Sequence, residues 1–98
     1  MVTSNQAIEA ICEVFEVPLS VLQSRRVVRE AVDARFAAWH FLMRELRFSP
    51  QRVGRLLNRD RSGYHYSLYQ FDALMEYSRG YQRKVEAVRA RLGLEVSS

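Results

Sequence analysis

Apolar residues recur at helical spacing along most of this chain. In the first segment Ile8, Ile11, Cys12 and Phe15 fall on one stripe, and Thr3, Ser4 or Asn5 can serve as N-cap. Val17-Pro18 ends that helix, because a residue before proline is pushed out of the helical region. A short helical turn is expected over 18–23, followed by a polar, basic connection, Ser24-Arg25-Arg26. The spacing then predicts a long central helix from about Val28 to Glu45. One of its stripes is Ala31, Ala34, Ala38 and Phe41; the other is Val32, Phe36, Trp39, Met43 and Leu46. A helix apolar on two sides is the hub of a small bundle. Trp39 reads as core, and His40 as an ordinary helix residue, since no second ligand lies at metal spacing around it.

Ser49-Pro50 is a start signal, with serine as N-cap and proline at the first helical position. The helix it opens, Pro50 to Leu57, is short and carries Val53, Leu56 and Leu57 as its apolar residues. Asn58 can take the left-handed conformation and end it. Asp60 or Ser62 can cap the next helix, whose buried stripe is Tyr64, Leu68, Phe71 and Met75. Ser78-Arg79-Gly80 marks its end or a bend. A last helix, Tyr81 to Leu92, presents Tyr81, Val85, Val88 and Leu92 and stops at Gly93. The tail over 94–98 is expected to fray. No stretch alternates long enough to read as a strand. The fold class is therefore all-α, a compact five- to six-helix bundle forming one domain over 1–98.

Composition narrows the function classes. The one cysteine, Cys12, rules out an intramolecular disulfide or a cysteine-cluster metal site and reads as a small buried hydrophobe in a reducing cytosol. No apolar run reaches the roughly 18 residues of a membrane span, and the first ten residues lack the basic start of a secretory signal. A cytoplasmic, nucleoid-associated protein is expected. Enzyme chemistry finds little support: the only histidines are His40 and His65, with no nucleophile–base pairing or carboxylate dyad, and neither metal nor cofactor is expected.

The charge is unevenly spread. The net charge is +4, but residues 1–24 carry −3, residues 25–61 carry +6, and residues 62–98 carry +1. A basic centre between acidic or neutral ends fits an anion-binding surface. Fourteen of the fifteen basic residues are Arg, the better fork for phosphate and guanine edges. The stretch NRDRSGYHY, residues 58–66, concentrates charge, a Ser-Gly pair and helix caps between two short helices. Two such helices, the second opening on polar groups, form the helix-turn-helix pattern, here about 50–77, which enters the major groove by the N-terminal end of its second helix. Tyr64, Leu68 and Phe71 would hold that helix to the core, leaving Arg61, Ser62, His65, Tyr66 and Tyr69 to face DNA.

Val53-Gly-Arg-Leu-Leu-Asn-Arg-Asp-Arg-Ser-Gly-Tyr64 resembles the signature I-G-x-x-F-G-G-R-D-H-S/T-T-V of the C-terminal DNA-binding domain of the bacterial replication initiator DnaA, in the Trp-repressor-like helix-turn-helix group. Val53 and Gly54 match its Ile-Gly, Leu57 its Phe, and Asn58 one of its two glycines, while Arg59, Asp60 and Ser62 match directly. Ser24-Arg25-Arg26 fills the place of a basic loop, and Ala34-Arg35 through Arg44-Glu45-Leu46 that of a long helix. The register slips by one residue between Arg35 and Ser49. The similarity runs from about Ile8 to Leu92.

The resemblance implies duplex DNA as partner. It places an Arg of the basic loop, Arg26 by preference, in the adjacent minor groove, with Arg25 and Arg29 on phosphates. Arg35 and Arg59 become phosphate clamps. Asp60 caps the recognition helix and can accept from a cytosine amino group. Ser49 and Gln51 open the bracing helix beside the backbone, Ser49 chiefly as a cap; Arg52 and Arg55 read as helix surface. Where the family has His, Thr and Val, this chain has Arg61, Gly63 and Tyr64. Arg61 would favour guanine, and Gly63 removes a thymine-methyl contact. His65, Tyr66 and Tyr69 face bases or sugars, or else form a surface for a protein partner. Self-association through the last helix is also open. The family initiator carries an ATPase domain, whereas this chain has no G-x-x-x-x-G-K-[ST] loop. Its expected action is to occupy DNA, as a transcription regulator or as a modulator at initiator-like sites. The alternative is an adaptor that keeps the fold without specific DNA binding.

Overall fold

The structure, a computed structural model, describes residues 1–94. Six α-helices follow one another: α1 (Ser4–Phe15), α2 (Leu19–Leu22), α3 (Arg29–Trp39), α4 (Pro50–Leu57), α5 (Tyr64–Tyr77) and α6 (Arg79–Arg91). A π-helical turn (His40–Glu45) continues α3, and a 3-10 turn (Arg61–Gly63) leads into α5. There is no strand among the described residues. The radius of gyration, 12.1 Å, is what a closely packed chain of this length adopts.

The sequence signals act where expected at most boundaries. Thr3 caps α1, accepting from Gln6 N–H while the Gln6 side chain accepts from Thr3 N–H. Ser49 caps α4 by accepting from Arg52 N–H, with Pro50 as the first helical residue, and Asn58 ends α4 in the left-handed conformation at φ 56°. Ser78 closes α5 and caps α6 through Tyr81 N–H. At the far end Leu94 N–H donates to Arg89 O at 3.0 Å and its side chain packs on the core. Leu94 is thus tied down, contrary to the frayed end expected from that residue; positions 95–98 lie outside the described residues.

α3 is the hub. It packs on α1, α2 and α5, and α1 in turn packs on α6. The largest fully buried side chains are Trp39, Phe15, Phe41, Ile11, Leu22 and Leu42. Cys12 is only half-buried, and burial pushes its thiol up.

The central helix does not run unbroken to Glu45, because its last turn widens. Leu46 N–H donates back to Phe41 O at 2.9 Å, five residues away, and Arg47 then reverses the chain at φ 64°. A π turn absorbs one more residue than an α turn. The wider turn brings residues five apart onto one side. His40 Nε2 therefore reaches Glu45 Oε2 at 3.0 Å while its ring stacks on Phe71 at 4.0 Å.

Candidate nucleic-acid interface

α4 and α5 meet through a tight turn. Arg59 N–H donates to Gly54 O at 2.7 Å, so the chain folds back onto the helix it has just left. A Cβ at Gly54 would lie 2.7 Å from Arg59 O, which backbone cannot yield cheaply. Only glycine lets the turn lie this close. Asp60 then accepts from Ser62 N–H at 2.9 Å and caps the 3-10 turn, so α5 proper starts at Tyr64, not near Ser62. That bond holds the Asp60 carboxyl below the usual range.

The exposed start of α5 lies between two grooves. One, of about 420 Å³, is lined by Ser49, Pro50, Gln51, Arg61, Ser62, Tyr64 and His65. The other, of about 350 Å³, runs between α3 and α5 and includes Arg25, Phe36, Arg59, Asp60, Ser62, Gly63 and Tyr66. Ser62 belongs to both. Thus Arg25, Ser49, Gln51, Arg59, Asp60, Arg61, Ser62, Gly63, His65 and Tyr66, drawn from three separate stretches of sequence, share one surface. Arg26 and Arg29 are exposed but line neither groove. Arg29 opens α3 and stands 3.8 Å from Asp33. Tyr66 rests edge-on against Phe36 at 6.0 Å and Tyr69 is open to solvent.

Arg35 is corrected from phosphate clamp to internal brace. Its side chain is buried, and its guanidinium donates to the carbonyls of Leu22 (2.9 Å), Arg26 (2.7 Å), Val21 (2.8 Å) and Ser24 (2.9 Å). Four of its five N–H donors are used within the fold. Arg59 is half-buried and also turns inward: Nη2 donates to Ser24 O and Nη1 to Asn58 O. Only the outer edge of the Arg59 guanidinium stays open to solvent. Burial, then the charge of Arg59, loosens Arg35's hold on its proton; burial, then Arg25, does the same to Arg59. Arg59 thus lies between two like charges, Arg35 and Arg25, beside the groove.

No carboxylate ion pair neutralises Arg25, Arg26, Arg47, Arg52, Arg55, Arg59 or Arg61 among the described residues. Between Leu46 and Arg59 the chain contains no Asp or Glu at all. Arg52 lies over the Phe48 ring at 3.8 Å, and Arg55 projects outward.

Sequence reasoning missed Gln23, whose Nε2 donates to Leu56 O at 2.9 Å and whose carbonyl accepts from the Asn58 side chain at 3.3 Å. Nothing in its neighbourhood marks it. Arg35 did carry a signal: it lies four residues after Ala31 and three before Ala38, on the stripe that is buried. No protein-family model matches the chain, and no curated protein matches it in sequence.

Proposed function

We propose that this protein is a sequence-selective duplex DNA-binding regulator that acts by occupying its site. In this reading α4 and α5 are a helix-turn-helix of the DnaA C-terminal-domain kind. The observation that carries it is the uncompensated arginine surface around the N-terminal end of α5. A duplex brings phosphates whose counterions are released on binding, and such a surface is repaid most by that partner. The backbone dipoles of α4 and α5 point their positive ends toward the same face. Arg61, exposed and without an ion-pair partner among the described residues, forms a fork on guanine in this reading, with Ser62 and His65 lining the same groove. Arg25 and Arg26 contact the neighbouring minor groove or its phosphates. The action is transcription regulation or modulation at initiator-box-like sites, without ATP hydrolysis.

A protein-interaction adaptor is the second reading. Tyr66, Tyr69 and Tyr77 are 63%, 71% and 81% exposed, more aromatic surface than a monomer needs. The two separate by retention on random-sequence duplexes at low salt. DNA binding predicts retention and enrichment of a common sequence. No retention, together with a protein that co-purifies, would favour the adaptor.

A further inference from the structure

The basic loop and the α4–α5 turn are bound together directly. Ser24 O accepts from both Arg35 and Arg59. Gln23 reaches Leu56 O through its side chain, and Asn58 reaches back to Gln23 O. Arg35 fixes the carbonyls of Val21, Leu22 and Arg26 on the other side. The loop is therefore held at both flanks, from α3 and from the turn that precedes α5, across more than thirty residues of sequence. A loop meant only to supply charge would not need this. A flexible arm serves the purpose, since phosphates recur along any duplex.

We infer that Gln23, Arg35 and Arg59 are positioning residues that lock the basic loop in one register with α5, so that the protein reads two features of a duplex at a single fixed spacing. This rests on the DNA-binding reading above. The loop side, Arg25 and Arg26, recognises a narrow A·T-rich minor groove, where guanidinium groups are drawn in. The α5 side recognises a guanine-containing major-groove core. One added base pair shifts the second feature by about 3.4 Å and turns it by roughly a tenth of a turn. A locked reader cannot follow that change.

The experiment uses a pool of duplexes with a randomised central segment and selects for binding to the full chain. The wild type is expected to enrich an A·T tract at one distance from a guanine-containing core. Inserting one base pair between them should weaken binding by about tenfold to a hundredfold, like one wrong base pair. Gln23→Ala, which changes no charge, and Arg59→Met should each broaden the enriched distances and reduce the insertion penalty several-fold. Loss of general stability alone would weaken both duplexes equally and leave their ratio untouched. Arg35→Met can unfold the chain, so the case stands on the other two variants. Wild-type binding with no preferred distance, or variants that keep the full penalty, overturns the inference alone. No retention of any duplex overturns the DNA-binding reading and the inference with it.

Discussion

Two sides of this protein use arginine in opposite ways. Around the π turn and α6, Arg44 forks onto Asp72 at 2.6 and 3.0 Å, Arg89 reaches Glu45 at 2.6 Å, and Arg91 pairs with Glu13. Around the loop, α4 and the start of α5, the guanidinium groups meet carbonyls, an aromatic ring or solvent. The only acid there among the described residues, Asp60, faces Ser62 N–H. Arg79 and Arg83 are also unpaired among the described residues, but each lies three residues from Glu76 or Glu86, which dilutes their field. The same residue type thus joins elements on one side and accumulates charge on the other. A fold seeking stability alone would not leave like charges together, since net repulsion destabilises the compact state.

Substitutions can break this contrast or sharpen it. Arg35→Ala should have the largest effect, stranding acceptors at Val21, Leu22, Ser24 and Arg26. Unfolding free energy should fall by at least about 3 kcal/mol in urea titrations. An unchanged midpoint would return Arg35 to the DNA-contacting set. Gly54→Ala is next: its Cβ meets Arg59 O, and overpacking of this kind costs about 1–3 kcal/mol. It should also lower DNA affinity by displacing the turn, so affinity and stability are measured together.

Arg61→Ala and Arg91→Ala test the contrast itself. Arg61→Ala should lose about 1–3 kcal/mol of discrimination at one base position while folding normally. Arg91→Ala should leave DNA affinity unchanged and cost under about 1 kcal/mol of stability, as an exposed pair does. Equal effects on binding would erase the distinction between the two sides.

A smaller effect concerns pH on the paired side. Burial holds His40 below the usual imidazole range, with Glu45 partly opposing. The unfolded chain then binds that proton more readily than the folded one. The stability due to neutral His40 is complete above about pH 6.5 and is lost as pH falls towards the depressed folded value. His40→Phe should flatten that part of the stability profile; an identical acid limb would show that His40 does not contribute. Smallest of all, Gly63→Ala should raise stability by about 0.5 kcal/mol. Gly63 has an ordinary φ of −72°, and a Cβ added there would meet open space.

Most of the architecture could be read from local signals. Thr3, Ser49-Pro50, Asn58 and Ser78 each act through groups within a few residues, so their effect is visible in sequence. The π turn was not visible, because His40, Phe41 and Leu42 fit an α-helical stripe as well as a widened one. What accompanies it, the stacking of His40 on Phe71 and Arg89 reaching Glu45, joins it to α5 and α6, far along the chain. The site divides along the same line. His65 and Tyr66 were legible as outward positions of an amphipathic helix, and Arg61 and Ser62 as exposed polar residues at its start. Gln23 was not, since its bonds span thirty-three and thirty-five residues. Arg35 misled because arginine in a basic stretch suggests an anion, yet here it satisfies backbone carbonyls buried by the bundle.

The most direct test of the uncompensated arginine surface is duplex affinity as a function of salt. With four or more phosphates contacted, log affinity should fall against log salt with a slope steeper than about −3. Arg25→Ala should make that slope shallower by about one, without changing which sequence is preferred. A flat salt dependence, or a slope unmoved by Arg25→Ala and Arg26→Ala together, would contradict the claim that this face binds DNA.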